Sequence, residues 1–142
     1  MLYEPVLMVW DYWDGPREGL TQYNGQAHYF KCLLDEASDE YTELFTLSPV
    51  SASFLKISKK NWEIYKDWER RLHKGLTSLQ THPSKGDECS EYKQLEHRLE
   101  IMVNALTPFP HKFKPTFKVI NNTNTPISYT MKDYEAMWSI ST

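Results

Sequence analysis

The chain has 142 residues, of which 40% are hydrophobic and 25% charged, the composition of a globular protein long enough to bury a core. Its formal net charge of −3 argues against a general nucleic-acid binder, because such proteins present a basic surface. No apolar run approaches the roughly 20 residues that cross a bilayer, so we expect no membrane segment.

The two cysteines and the first ten residues bear on the cellular compartment. Cys32 and Cys89 stand alone, without the spacing of a metal site. The segment MLYEPVLMVW has no positive charge before its apolar residues and is interrupted by Glu4 and Pro5, which is not typical of a signal peptide. We therefore expect reduced thiols, a cytoplasmic location, and neither a metal nor any other cofactor.

The first third of the chain predicts four strands, over residues 5–13, 17–23, 26–34 and 41–47. In the first of these, apolar residues occupy both alternating sets, which is typical of a strand covered on both faces. Asn24-Gly25 favours a type I′ turn, so we expect the second and third strands to form a hairpin. The acidic segment 35–40 is interpreted as a solvated turn, because it lacks the glycine and ligand spacing of a calcium loop.

The rest of the chain predicts two helices and further strands. Aromatic and apolar residues recur three or four apart after Ser58, which indicates a helix over 59–74 capped by that serine. A second helix is expected from about residue 87 to 106. Residues 112–120 are expected to be extended, and residues 127–139 predict a final hairpin, with a short helix inside that segment as the alternative.

These elements predict a single α+β domain over residues 1–142. Its expected architecture is a curved antiparallel sheet of four to six strands with two helices packed on one face. Trp10, in the middle of the first strand, is expected to be buried in the core of this domain.

The corner where the first strand leaves the sheet is the expected binding face. Trp13, Asp14 and Arg17 lie at this corner, and an exposed tryptophan beside an arginine is typical of interface hot spots. His28 and Tyr29, in the hairpin that follows, are expected to extend the same face. In the competing interpretation, Trp13 folds back over the core, Arg17 pairs with Asp14, and the corner is only scaffold.

Two other functions compete with protein binding. Asp11, Asp14 and His28 are candidates for acid–base catalysis in a small hydrolase or nucleotide-processing enzyme, because paired carboxylates can divide the acid and base roles. The sequence contains no GxSxG elbow, HExxH pair or phosphate-binding glycine loop that would support catalysis. Aromatic residues with basic neighbours could instead stack single-stranded nucleic acid. For that third function the candidates are Trp13, Arg17, Tyr23, Tyr29 and Lys31.

The pattern WDYWDGPREG followed by YNGQAHYF, over residues 10–19 and 23–30, resembles a family of small bacterial proteins of unassigned function. The resemblance implies a bacterial, cytoplasmic origin and no activity. Independently, a small, acidic, aromatic-rich chain without catalytic motifs favours a non-enzymatic protein-binding module, such as an adaptor, an inhibitor or an immunity-type protein. Its expected partner is another protein, its acidity disfavours nucleic acid, and a homodimer is left open.

Overall fold

A computed structural model of the chain describes residues 2–83, 90–120 and 132–141. Within these ranges the chain forms six strands, two long helices and one turn of 3-10 helix. The strands are β1 (Glu4–Tyr12), β2 (Pro16–Tyr23), β3 (Gln26–Asp35), β4 (Glu40–Pro49), β5 (Lys112–Val119) and β6 (Tyr134–Ser141). The helices are α1 (Ala52–His73), the 3-10 turn Leu79–Thr81, and α2 (Ser90–Asn104).

The six strands form a closed antiparallel barrel in which neighbours in the chain are neighbours in space. β6 completes the ring by pairing with the start of β1, where Glu4 lies opposite Ala136 and Val6 opposite Tyr134. The expected curved sheet with two helices packed on one face is therefore wrong, because the sheet closes into a barrel. Irregular pairing between β1 and β2 increases the curvature of the sheet, and closure pairs the two strands that would otherwise be its free edges.

The β2–β3 turn forms as the sequence predicts. Asn24 and Gly25 both have positive φ, 52° and 77°, which confirms the expected two-residue hairpin turn. The Glu4 carboxylate on β1 caps this turn, because its two oxygens accept hydrogen bonds from the Asn24 and Gly25 amides at 2.9 and 3.0 Å. The hairpin is thus fixed both by its own backbone conformation and by a neighbouring strand.

Four aromatic rings fill the centre of the barrel. Phe30, Phe45, Phe117 and Trp138 come from β3, β4, β5 and β6, and the ring centroids of every pair among them lie 5.6 to 6.2 Å apart. The Trp138 indole N–H also donates to the Thr21 hydroxyl on β2 at 3.2 Å. One compact ring cluster therefore connects most of the strands.

The helices form a compact unit of their own, over residues 51–105, while residues 1–50 and 106–142 form the barrel unit. α1 and α2 pack against each other. The expected cap at Ser58 is wrong: the Ser51 hydroxyl caps α1 by accepting from the Phe54 amide at 3.0 Å, and Ser58 is a buried residue inside the helix. The earlier start follows from Pro49, which ends β4 and leaves Ser51 as the first residue free to act as a cap.

Two further predictions concern the end of the chain and the membrane. The first half of the expected final hairpin, residues 127–131, lies outside the described residues, whereas its second half belongs to β6. Among the described helices, none combines the length and the apolar character needed to cross a membrane.

Gly19 determines how closely β1 and β2 approach. A Cβ atom at this position would lie 2.1 Å from the Met8 carbonyl oxygen and 3.1 Å from the Phe30 ring. We expect Gly19→Ala to lower the free energy of unfolding by about 2–3 kcal/mol, measured by urea denaturation, because the backbone of β1 has to move.

Gly25→Ala is the matched control for this prediction. Gly25 also has no side chain, but open space surrounds it and only its φ of +77° opposes the substitution. We expect a loss of about 1 kcal/mol there. Equal losses in the two variants would contradict the close contact between Gly19 and β1.

Candidate functional site

A tight turn of three residues, Trp13 to Gly15, connects β1 to β2; we call it the Trp13 turn. Asp14 and Gly15 have consecutive positive φ values of 54° and 125°, and the Trp13 amide donates to the Gly15 carbonyl at 2.9 Å. The side chain of Trp13 is 71% exposed. The ring therefore does not fold over the core, and a large apolar surface projects from a sharply bent backbone.

Arg17 holds the Trp13 turn from behind. Its Nε donates to the Trp13 carbonyl at 2.7 Å and one terminal nitrogen donates to the Asp14 carbonyl at 3.5 Å. The guanidinium lies over the Tyr41 ring, 4.9 Å from its centroid. Arg17 thus contacts Asp14 through the backbone and not through the carboxylate, and its planar, charged group orients the turn while leaving the tryptophan ring in solvent.

Tyr41, at the start of β4, ties a second turn to this corner. Its hydroxyl donates to the Asp11 carboxylate at 2.9 Å. This hydrogen bond, with a smaller effect of burial, raises the pKa of Tyr41. Because Asp35 at the end of β3 pairs with Glu40 just before Tyr41, the β3–β4 turn lies beside the Trp13 turn.

Cys32 lies beneath Arg17 in the barrel interior. A terminal nitrogen of Arg17 is 3.6 Å from the Cys32 Sγ, yet burial raises the pKa of this thiol more than Arg17 lowers it. A protonated thiol that is 2% exposed is a poor nucleophile, so Cys32 serves here as a packing residue.

His28 is separated from the Trp13 turn along the axis of the barrel. It faces the interior four residues before Cys32 on β3, a distance of about 13 Å at the usual rise per residue. There its Nδ1 is 2.9 Å from the Gln26 carbonyl oxygen, and its ring contacts Tyr23 and Phe109. The expectation that His28 extends the face of Trp13 does not match this position.

Tyr29 points to the other side of β3 from His28, since side chains alternate along a strand. Its hydroxyl donates a short hydrogen bond to the Glu18 carboxylate, and its ring lies 5.9 Å from that of Trp10. Trp10 is half-buried and not buried as predicted. The structure thus brings Trp13, Asp14 and Arg17 together, whereas Tyr29, on the other side of β3 from His28, is buried.

The three residues of the enzymatic alternative do not form one cluster. Asp11 is paired with Glu18 of β2, and His28 is paired with Thr21 of the same strand. Because Glu18 and Thr21 are three residues apart, Asp11 and His28 are separated by roughly 10 Å along the strand direction. Over residues 2–83, 90–120 and 132–141, no three His, Cys, Asp or Glu side chains are grouped closely enough to hold a metal ion.

The helical unit contains a cavity of about 510 Å³ beside Trp68. Charged groups on its wall pair with each other, Lys60 with Glu91 at 2.5 Å and Arg71 with Asp67 at 3.2 Å. The Trp68 indole N–H is also occupied, because it donates to Thr81 at 2.9 Å. Two ion pairs and the indole N–H of the cavity wall are therefore already engaged in contacts within the helical unit.

The sequence grouped Trp13, Asp14 and Arg17 in one corner but did not indicate that Tyr41 lies beside them. The signal was present in the alternation of Tyr41, Phe45 and Leu47 along β4, which places Tyr41 on the same face as two core residues. The contact between Tyr41 and Asp11 depends on the curvature of the sheet, and the alternation of residues along β4 does not indicate that curvature.

No model of a known protein family matches the chain, and comparisons with curated proteins and with solved structures give no match either. The geometry of this chain therefore carries the functional inference.

We expect Arg17 and Trp13 to differ sharply in their contributions to stability. Arg17→Ala removes a charged hydrogen bond and the stacking on Tyr41, so we expect a loss of about 2 kcal/mol in the free energy of unfolding. Trp13→Ala should change it by less than about 0.5 kcal/mol, because the ring is in solvent. Urea denaturation measures both, and a loss above about 1 kcal/mol for Trp13→Ala would mean that the ring is structural.

Tyr29 should make the barrel sensitive to alkaline pH. Burial, together with the hydrogen bond to Glu18 and its charge, raises the pKa of Tyr29 far above its usual value near 10. Above pH 10, the unfolded chain releases the Tyr29 proton whereas the folded chain retains it. In that range the free energy of unfolding therefore falls by about 1.4 kcal/mol per pH unit.

Tyr29→Phe tests this alkaline effect. The variant should be less stable near neutral pH, because it loses the bond to Glu18. Between pH 10 and 11, however, its free energy of unfolding should fall less steeply with pH than that of wild type, by the slope that corresponds to about one proton released on unfolding. Identical slopes for the two proteins in urea denaturation would show that Tyr29 ionises in the folded chain as it does in the unfolded one.

Proposed function

We propose that this chain is a non-enzymatic protein-binding module and that the Trp13 turn is the part that contacts the partner. The observation that carries the proposal is a tryptophan, 71% exposed, on a backbone that Arg17 fixes by two hydrogen bonds. Tryptophan is among the residues most enriched where protein interfaces concentrate their binding energy.

The fixed backbone of the Trp13 turn favours binding, because little conformational entropy is lost on association. The turn is bent by Asp14 and Gly15 and tied to Tyr41 through Arg17 before any partner arrives. Only the indole ring has torsional freedom left to lose. A tryptophan presented in this way buries a large apolar area at a small entropic cost.

Binding is favoured over catalysis because the polar groups near Trp13 are already engaged in structural contacts. Asp11 accepts from Tyr41, Arg17 donates to backbone carbonyls, and Cys32 is protonated. Adaptors, inhibitors and immunity-type proteins are the forms that such a module takes. A cytoplasmic location belongs to the same proposal, and the free thiol of Cys32 is consistent with it.

The test is partner capture that depends on Trp13. Tagged wild-type protein, Trp13→Ala and Ile140→Ala are each incubated with lysate of the source cells, and retained proteins are compared. Ile140 is the matched control, since it is an apolar residue of the same unit, 52% exposed at the opposite end of the barrel. We expect a protein that wild type and Ile140→Ala retain and that Trp13→Ala loses.

The captured protein is then purified and its affinity measured by calorimetry. We expect Trp13→Ala to weaken binding by about 10- to 100-fold, the usual range for an interface hot spot, with an unchanged melting temperature. If Trp13→Ala retains every partner that wild type retains, or if no partner is retained at all, the proposal is wrong.

A further inference from the structure

The Trp13 turn lies at an end of the barrel that carries many negative charges. At this end β1, β3 and β5 finish and β2, β4 and β6 begin. The turn that follows β3 stands beside the Trp13 turn through the bond between Tyr41 and Asp11. Six exposed carboxylates from these two turns form what we call the acidic rim: Asp11, Asp14, Asp35, Glu36, Asp39 and Glu40.

Few positive charges balance the acidic rim from within the chain. Among the described residues, none of the six carboxylates forms an ion pair. The guanidinium of Arg17 is turned inward over Tyr41, and Lys132 precedes β6 at the same end. The rim therefore keeps a negative potential around the exposed ring of Trp13.

The spacing of the rim carboxylates indicates which kind of positively charged group can bind them. No three of the described carboxylates converge as metal ligands, so a compact ion does not match their arrangement. Positive charges distributed along a polypeptide do match it, because each can meet a separate carboxylate. The indole of Trp13 adds a face on which a guanidinium or ammonium group can stack.

Resting on the proposed function, we infer that the partner presents a segment rich in arginine and lysine to this surface. In the complex, a basic side chain stacks on Trp13 while its neighbours pair with carboxylates of the acidic rim. The charges guide the encounter, and the indole provides the contact that retains the partner. The same field repels the phosphates of nucleic acid and a second copy of the acidic rim.

The probe is a peptide of alternating arginine and glycine about 12 residues long, with a glutamate–glycine peptide of equal length as its counterpart. Binding to the full chain is followed by calorimetry at about 20 mM and about 150 mM salt. We expect the arginine peptide to bind, more weakly at the higher salt, and the glutamate peptide not to bind. Trp13→Ala should weaken binding of the arginine peptide at least about fivefold.

The role of the rim is tested by a variant in which three carboxylates are neutralised: Glu36→Gln, Asp39→Asn and Glu40→Gln. Asp35 is kept because it accepts a hydrogen bond from the Ala37 amide. The control variant removes the same charge from exposed positions of the helical unit: Glu63→Gln, Glu96→Gln and Glu100→Gln. We expect at least about fivefold weaker binding for the first variant and less than about twofold for the control.

Several outcomes would overturn the inference. These are no binding of the arginine peptide up to about 1 mM at the lower salt, equal weakening in the two neutralised variants, or tighter binding of a single-stranded oligonucleotide than of the peptide. Failure of the inference alone is recognisable: a partner captured through Trp13 would bind the rim-neutralised variant as tightly as wild type. Failure of the proposed function shows instead as capture that does not depend on Trp13.

Discussion

The mutual contact of four rings, Phe30, Phe45, Phe117 and Trp138, is the interaction on which closure of the barrel depends. The hydrogen-bonded ladder between β4 and β5 has a single registered pair, Phe45 with Phe113, whereas β5 and β6 pair along their whole length. Backbone pairing alone would leave this seam weak. The four rings come from four successive strands, and each contacts the other three. Their packing therefore holds β4 and β5 together where few backbone hydrogen bonds do so.

Closure also creates the candidate site. Asp11 is on β1 and Tyr41 on β4, so three strand spacings separate them in a flat sheet, about 14 Å. In the barrel the Tyr41 hydroxyl lies 2.9 Å from the Asp11 carboxylate, with Arg17 on the ring of Tyr41. The arrangement that orients Trp13 therefore exists only because the sheet curls, and the same curvature places the β3–β4 turn beside the Trp13 turn.

The hairpin turn at Asn24-Gly25 was predictable from the sequence, whereas closure of the barrel was not. Asn24-Gly25 identified its turn because its conformation depends on two residues, whereas the pairing of Glu4 with Ala136 depends on segments at opposite ends of the chain. Alternating hydrophobicity is the same in an open sheet and a barrel, so it carried no information on closure. The grouping of His28 with Tyr29 failed for a simpler reason: adjacent strand residues point to opposite faces, which excludes a shared surface.

At the Trp13 end of the barrel, some side chains make structural contacts and others remain exposed. The guanidinium of Arg17 donates to a backbone carbonyl of the turn and stacks on the ring of Tyr41, so it holds the turn in a fixed position against the barrel. Trp13 contributes only its backbone to these contacts, and its indole stays exposed to solvent. The carboxylates of the acidic rim stand outside this network, with the exceptions of Asp11 and Asp35. Their charges can therefore change without loss of the fold. Under the proposed binding role, substitutions at the rim would change which partner is preferred while the ring of Trp13 keeps its position.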